Sequence, residues 1–553
     1  MNWLQLISNK RLGQEYRHPE RHDDRSEFKR DYDRLIFSAP FRRLQNKTQV
    51  FPLPGSIFVH NRLTHSLEVA SVGRSLGNDS ARLLLERHPD LAGTHLTELG
   101  AIVSAACLAH DLGNPPFGHS GERAIATYFS EGEGRYLQTY TDTETDDRLT
   151  PAQWDDLTHS LEVASVGMSL GNDVGRILSD RHPELAGTLF EEIGTIVSAA
   201  CLAHDMGNPP FGHSGEKAIQ TYFSEGPGKV QKSSVSSEFW SDITHFDGNA
   251  YAFRLLTHSF HGRRRGGFVM TYSTLASIVK YPFPSYQATK NKFGFFTTEY
   301  DNYLKIVSEL GIPQLPLPNG AHSLPTGEGQ GGAPTGVAFA RYPLVYLVEA
   351  ADDICYEIMD LEDAHKLKLL SYAETERLML GFFDETEQNR ILKRLQEEAV
   401  TDLNERIVYL RACVIGRLER ECVNTFVNNE EAILNGTFSG SLIDHLPERQ
   451  REAYRQCVSL SVDRIYRSKP VLDVELSGYK IIETLLHTFI EAVMNPTRYH
   501  SQQLLNLVSP QYDVRADSVE GRIMAVIDYL CGMTDVFALD VYQKINGISL
   551  PIV

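Results

Sequence analysis

The sequence predicts an all-α protein, and three observations carry that prediction. Stretches such as 377–428 and 479–494 set apolar residues three and four apart amid Glu, Lys and Arg, the spacing of one helical face. Alternating apolar–polar runs of strand length are scarce. The apolar run Ile102–Ala109 ends at His110-Asp111 and then at Pro115-Pro116, the way a buried helix stops. Two irregular stretches interrupt the helical pattern: 132–153, rich in Thr and Asp, and 311–336, rich in Pro and Gly.

The chain has 553 residues, 42% apolar and 23% charged, the balance of a soluble globular protein with several domain-sized cores. Four blocks are expected: 1–156, 157–243, 244–375 and 376–553. No apolar run approaches the roughly 18 residues of a membrane span. The N-terminus lacks the basic segment followed by a long apolar segment that marks a signal peptide. Seven cysteines include no C-x-x-C pair, and Cys107, Cys201 and Cys355 lie in apolar surroundings, which fits core thiols in a reducing cytoplasm. A net charge of −19 argues against a protein that coats nucleic acid, but a single cleft needs only a few local cations.

An internal repeat dominates the chain. Residues 63–134 align with 157–228 at an offset of 94, without gaps, differing at 16 of 72 positions. Solenoid repeats are shorter and come in threes or more, so this is a duplicated segment rather than a solenoid. Trp154-Asp155-Asp156-Leu157-Thr158-His159 reads as a truncated version of Trp240-Ser241-Asp242-Ile243-Thr244-His245, spliced at a shared Leu-Thr-His word, and marks the joint. It points to a join between two homologous genes, by recombination or in sequence assembly.

The chemistry concentrates in that repeat. His110-Asp111 puts an imidazole and a carboxylate side by side at the end of a core helix, a mixed N/O pair suited to Mn, Fe, Co, Ni or Mg. His119 and Glu122 follow where the chain turns into the amphipathic helix Gly121–Phe129, within reach of a bound water or a leaving group. A lone His-Asp dipeptide is common. A second imidazole, His65, and a carboxylate pair, Asp352-Asp353, on another apolar helix raise its significance, because charges buried there are costly unless paired or metal-bound. The basic run Gly262-Arg263-Arg264-Arg265-Gly266 reads as a solvated turn slightly more readily than as a phosphate contact.

The ordered set His…His-Asp…Asp resembles the HD superfamily. Longer strings are similar to the deoxyguanosine triphosphate triphosphohydrolases: Phe41-Arg42-Arg43-Leu44-Gln45-Asn46-Lys47-Thr48-Gln49-Val50-Phe51, Arg62-Leu63-Thr64-His65-Ser66, His110-Asp111 through His119, Phe246-Asp247-Gly248-Asn249, and Glu349-Ala350-Ala351-Asp352-Asp353-Ile354. The likeness runs from about residue 28 to at least 365, and more weakly beyond. It implies an HD helical core with a further C-terminal helical region. It also implies a divalent cofactor (Mn, Mg, Co or Fe) and hydrolysis of a dNTP, dGTP foremost, to deoxynucleoside and tripolyphosphate. The metal ligands implied are His65, His110, Asp111 and Asp352, with His119 and Glu122 as the catalytic pair. Arg43, Gln45, Lys47, Arg62 and Asn114 are the substrate contacts. Such proteins assemble as homo-oligomers, and some respond to nucleotide or single-stranded DNA effectors. No membrane partner is implied.

The second copy repeats the key residues as His159, His204, Asp205, His213 and Glu216, but there is one Asp352, so one complete site is expected. The first copy is the expected one. Arg62 precedes His65, whereas Asp155-Asp156 precedes His159 and would repel a polyanion. Residues 157–243 would then be an insertion in an irregular linker, where added length costs little. That insertion would expose apolar side chains such as Ile196, Val197 and Leu202. Rival readings are another HD phosphohydrolase, such as a 5′-nucleotidase or phosphodiesterase, and an inactive chimaera.

Overall fold

The computed structural model describes residues 1–15, 26–44, 74, 103, 155–288, 292–315 and 338–548, and helices dominate them. The helices that build and brace the site are α1 (Glu27–Ile36), α2 (Asp155–Arg181), α3 (Ile193–Ala203), α4 (Gly212–Ser224), α5 (Ser237–Thr244), α6 (Gly248–Thr257), α7 (Val345–Lys366), α8 (Leu403–Asn428), α9 (Lys469–Met494), α10 (Val519–Cys531) and α11 (Asp535–Ile545). The strands described are two-residue pieces: Gln314–Leu315 pairs antiparallel with Ala338–Phe339, closing the base of the Pro/Gly-rich stretch. The fold is all-α, as the periodicity predicts.

Helix α3 is the centre. Its sequence IGTIVSAACLA carries no charge, and every residue but Thr195 is buried. A helix apolar all round must be covered on all sides. Here α2, α7 and α1 cover it. Close approach is set by glycine. A Cβ on Gly171 of α2 would stand 2.7 Å from the Gly194 Cα of α3, and one on Gly167 would stand 2.5 Å from Cys201 Sγ. Helix α1 docks through Asp31, 0% exposed, which pairs with Arg11 at 2.6 Å and accepts from the Thr271 N–H and hydroxyl. The C-terminal helices α10 and α11 pack on α9, and α9 packs on α4.

The chain falls into two compact units, one comprising Met1–Pro19, Ser26–Ile57 and Ala152–Val553, the other Glu20–Arg25 and Phe58–Pro151. Residues 157–243 are continuous with 244–553 in one unit rather than an insertion, and Ile196, Val197 and Leu202 are 0% exposed. The side chains that seat this copy are among those in which the copies differ. Val174 is fully buried, Phe190 meets the Trp3 ring edge-on at 5.2 Å, and the Gln220 amide donates to the Phe246 carbonyl at 2.9 Å. The first copy has Ser80, Leu96 and Ala126 there. The helices expected near 61–77 and 98–111 lie outside the described residues, apart from Arg74 and Val103, each assigned helical. The one expected near 343–362 is α7.

A buried acid makes stability depend on pH. Asp242 of α5 is 1% exposed and accepts from Ser285 Oγ at 2.6 Å and Thr297 N at 2.8 Å. Burial pushes its carboxyl up to about 7 despite those hydrogen bonds. Its folded pKa exceeds its unfolded one, so the native state holds the proton longer. Its stabilising contribution therefore declines as pH rises from ~4 to about 7. Asp242→Asn keeps an acceptor for Thr297 and offers a donor to Ser285. Thermal unfolding should show a shallower stability loss between about pH 5 and pH 7 for D242N than for the parent. Equal slopes would refute this assignment.

Candidate active site

The buried helix α3 ends at His204, and the loop His204-Asp205-Met206-Gly207-Asn208-Pro209-Pro210-Phe211 turns the chain into α4. Prolines 209 and 210 forbid continuation of α3, which leaves His204 and Asp205 at the helix mouth. His204 Nδ1 donates to the Cys201 carbonyl at 2.5 Å, which fixes the ring. Its Nε2 faces Asp205 Oδ2 at 3.3 Å and, across from α7, Asp352 Oδ1 at 3.4 Å. Side-chain exposure rises from 9% at His204 to 23% at Asp205 and 31% at Asp352, so the cluster opens toward solvent on its acidic side. Burial opposes charge on His204, but the two carboxylates outweigh it and hold the imidazolium well above the ordinary histidine range.

Two carboxylates converging on one imidazole nitrogen call for a positive charge between them. A ring whose other nitrogen is fixed by a backbone carbonyl is the usual second support of a metal-binding histidine. The donor set of one nitrogen and two oxygens fits a divalent metal of the Mn, Fe, Co or Mg kind. Among the described residues no group of three or more such side chains already surrounds a shared centre; the three meet through close pairing. Helix α2, which carries His159, packs against both α3 and α7.

Asp352, not its neighbour Asp353, faces His204. Asp353 is half-buried, and burial pushes its carboxyl up to about 7 although Lys280 pulls it down. Asn208, the counterpart of Asn114, donates from Nδ2 to Asp205 Oδ1 at 2.8 Å. It thus holds a candidate ligand, a role the sequence did not suggest. Asn208→Ala should cut kcat/KM roughly 10–100-fold, the usual cost of losing a ligand's support. The unfolding midpoint should hardly move, since the residue is only half-buried. Unchanged kcat/KM would dismiss this role.

The segment Phe246-Asp247-Gly248-Asn249 packs against the loop from the other side. A Cβ on Gly248 would stand 2.4 Å from Asn208 Oδ1 and 2.8 Å from Glu216 Oε1, so only glycine fits. The Gly248 N–H donates to Glu216 Oε1 at 2.6 Å. His213, one turn before Glu216 on α4, is exposed. Lys292, which nothing in the sequence singled out, reaches Asp247 Oδ2 at 2.7 Å and Glu216 Oε2 at 4.0 Å.

Phe211 adopts a left-handed φ of 63°, costly for an aromatic residue, and the C-terminal region holds it there. Its N–H donates to Asp535 Oδ1 at 2.8 Å, and the missing Cβ of Gly478 leaves room for its ring.

Arg43 is half-buried near Tyr512, Tyr251 and Arg263, and burial lowers its pKa. The 263–265 turn is exposed, with Arg263 stacked over Phe268 at 4.8 Å. Gln45, Lys47, Arg62, His65, His110, Asp111, Asn114, His119 and Glu122 lie outside the described residues, as does the side chain of His159.

The HD domain family matches residues 62–143 and 156–281, and the phosphohydrolase-associated domain matches 445–544. A deoxyguanosinetriphosphate triphosphohydrolase-like protein of Pseudomonas aeruginosa is 30% identical over 563 aligned residues, covering 100% of both chains. The chain belongs to the dGTP triphosphohydrolase-like family of HD-domain proteins. A Synechocystis relative of the same description is 30% identical over the whole of both chains. A Serratia proteamaculans deoxyguanosinetriphosphate triphosphohydrolase is 27% identical over 95% of each. The second HD match reaches past Phe246–Asn249 to 281, so it covers His204 and Asp205 but not Asp352, whereas the family's associated domain contains α9, α10 and most of α11. No helix among the described residues is long and apolar enough to cross a membrane.

Proposed function

We propose that the chain hydrolyses a deoxynucleoside triphosphate, dGTP foremost, to deoxynucleoside and tripolyphosphate, using a divalent metal held by His204, Asp205 and Asp352 together with His159. The observation that carries this is the convergence of Asp205 and Asp352 on His204 Nε2 in a chain of this family. When bound, the metal supplies Lewis-acid polarisation of the phosphate it touches. The protein's own part is positional. The Cys201 carbonyl orients His204, and Asn208 fixes Asp205. The overall reaction breaks the bond between the α-phosphorus and the 5′-oxygen. Water's hydroxyl goes to phosphorus and a proton goes to the 5′-oxygen. His213, exposed at the head of α4, is the proton donor in this scheme, and Glu216, one turn on, is its carboxylate.

The deciding experiment is incubation with Mn or Mg and each of the four dNTPs, with products identified. Tripolyphosphate and deoxynucleoside support the reading. Orthophosphate from a deoxynucleoside monophosphate, with dNTPs untouched, would replace it with an HD nucleotidase.

A further inference from the structure

We propose that Lys292 is a positioning residue that acts through Glu216, its ammonium shared between two buried carboxylates so that Glu216 stays ionised behind His213. This rests on the reading of His213 and Glu216 as the acid–base pair.

The geometry is specific. Asp247 is 0% exposed and spends Oδ1 on capping α6, accepting from the Asn249 N–H at 2.8 Å. Its Oδ2 meets Lys292 Nζ at 2.7 Å. Glu216, 7% exposed, spends Oε1 on the Gly248 N–H, and its Oε2 lies 4.0 Å from the same ammonium. Two carboxylates from different elements therefore share one cation, at a place where backbone contact through Gly248 leaves neither free to move away. Around this group stand His213 on α4 itself, Asp247 at the head of α6 and the Tyr281 phenol near Lys292. Helix α9 meets α4 through the Glu475 carbonyl, which accepts from Ser214, and through the Tyr479 hydroxyl on Thr221.

Neighbouring buried carboxylates without a cation cannot both stay charged, and one takes up a proton. Burial and Asp247 already push Glu216 upward, while Lys292 and His213 pull it down. Removing the ammonium leaves Glu216 neutral over a wider pH range and unable to steady a protonated imidazole.

The test is a double-mutant cycle in the full-length protein with Mn and dGTP. Lys292→Met should lower kcat about 10–100-fold and move the acidic limb of its pH profile up by about one unit, with KM little changed. Lys292→Arg should restore much of both. In a Glu216→Gln background, K292M should cost little further, because its partner is gone. A raised KM with an unmoved limb, or losses in E216Q and K292M that simply multiply, overturns the proposal in favour of a direct grip on substrate. If the parent turns over no dNTP, the functional reading fails by itself. The coupling is then judged on unfolding free energies of the same four proteins without metal: non-additive values support it, additive values overturn it.

Discussion

Replacing His204 and Asp205 together by alanine should abolish metal-dependent turnover, a loss of about 10³-fold or more, whereas the same change at His110 and Asp111 should leave most of it. Asp352→Ala should match the first result. The sequence-based expectation was the reverse, and the reason for changing it is physical. Asp352 Oδ1 lies 3.4 Å from His204 Nε2, on a helix packed directly against α3. The copies also differ where the seat is most demanding. Ser80 in place of fully buried Val174 would bring a hydroxyl into the core. Ala126 in place of Gln220 would take the donor from the Phe246 carbonyl, at about 1–3 kcal/mol for an unmet buried group. Leu96 in place of Phe190 would give up the edge contact with Trp3, at about 0.5–1.5 kcal/mol beyond area. These differences support the proposal that the second copy forms the site. Arg62 need not be lost to this arrangement. Excising 64–157 joins Leu63 to Thr158 and restores Asn-Arg-Leu-Thr-His before the second copy. That shorter chain should keep the parent's turnover. Should H204A/D205A stay active while H110A/D111A is dead, the site belongs to the first copy, and the assignments within the repeat move back by 94 while Asp352 stays.

The helical class was legible because apolar periodicity is a property of local sequence, and α7 and α8 follow it directly. The His-Asp pair was legible because two prolines after an uncharged helix leave little else for the chain to do. The choice of copy was harder. It was read from charges flanking His65 and His159, while the differences that bear on packing sit at 174, 190 and 220. Their significance appears only once Val174, Phe190 and Gln220 have neighbours to fit. Lys292 and Asn208 were missed or misread for a similar reason. A lysine in Lys290-Asn291-Lys292-Phe293 looks like any solvated one until Asp247 and Glu216, 45 and 76 residues earlier, are folded against it. The C-terminal region read as an appended helical block, yet Gly478 and Asp535 hold Phe211 in its left-handed turn beside the site.

Arg254→Met should destabilise the protein by about 3–5 kcal/mol, the usual result of removing one partner from a buried ion pair. Arg254 of α6 grips Asp528 of α10 with two parallel hydrogen bonds, Nε to Oδ1 at 2.9 Å and Nη2 to Oδ2 at 2.8 Å. Its Nη1 reaches Glu299 at 2.8 Å and the Thr298 hydroxyl at 3.0 Å. The side chains of Arg254, Asp528 and Glu299 are 4%, 4% and 1% exposed, so water cannot take over when the guanidinium goes. Methionine fills the space but leaves two buried carboxylates without their shared guanidinium, and His258, at 2.9 Å from Glu299, reaches one of them. The cost then lies in stranded charge rather than in lost packing. Adding Asp528→Asn and Glu299→Gln to R254M should therefore recover a large part of the stability, which a packing defect would not allow. Urea unfolding of the three proteins distinguishes the two. The consequence reaches the site, because α6 begins at Asp247-Gly248 against Glu216 and α10 packs on α9, whose Gly478 makes room for Phe211. Loosening α6 from α10 should lower turnover at temperatures well below the unfolding midpoint. An R254M protein within about 1 kcal/mol of the parent would show that this charged cluster does not hold the two regions together.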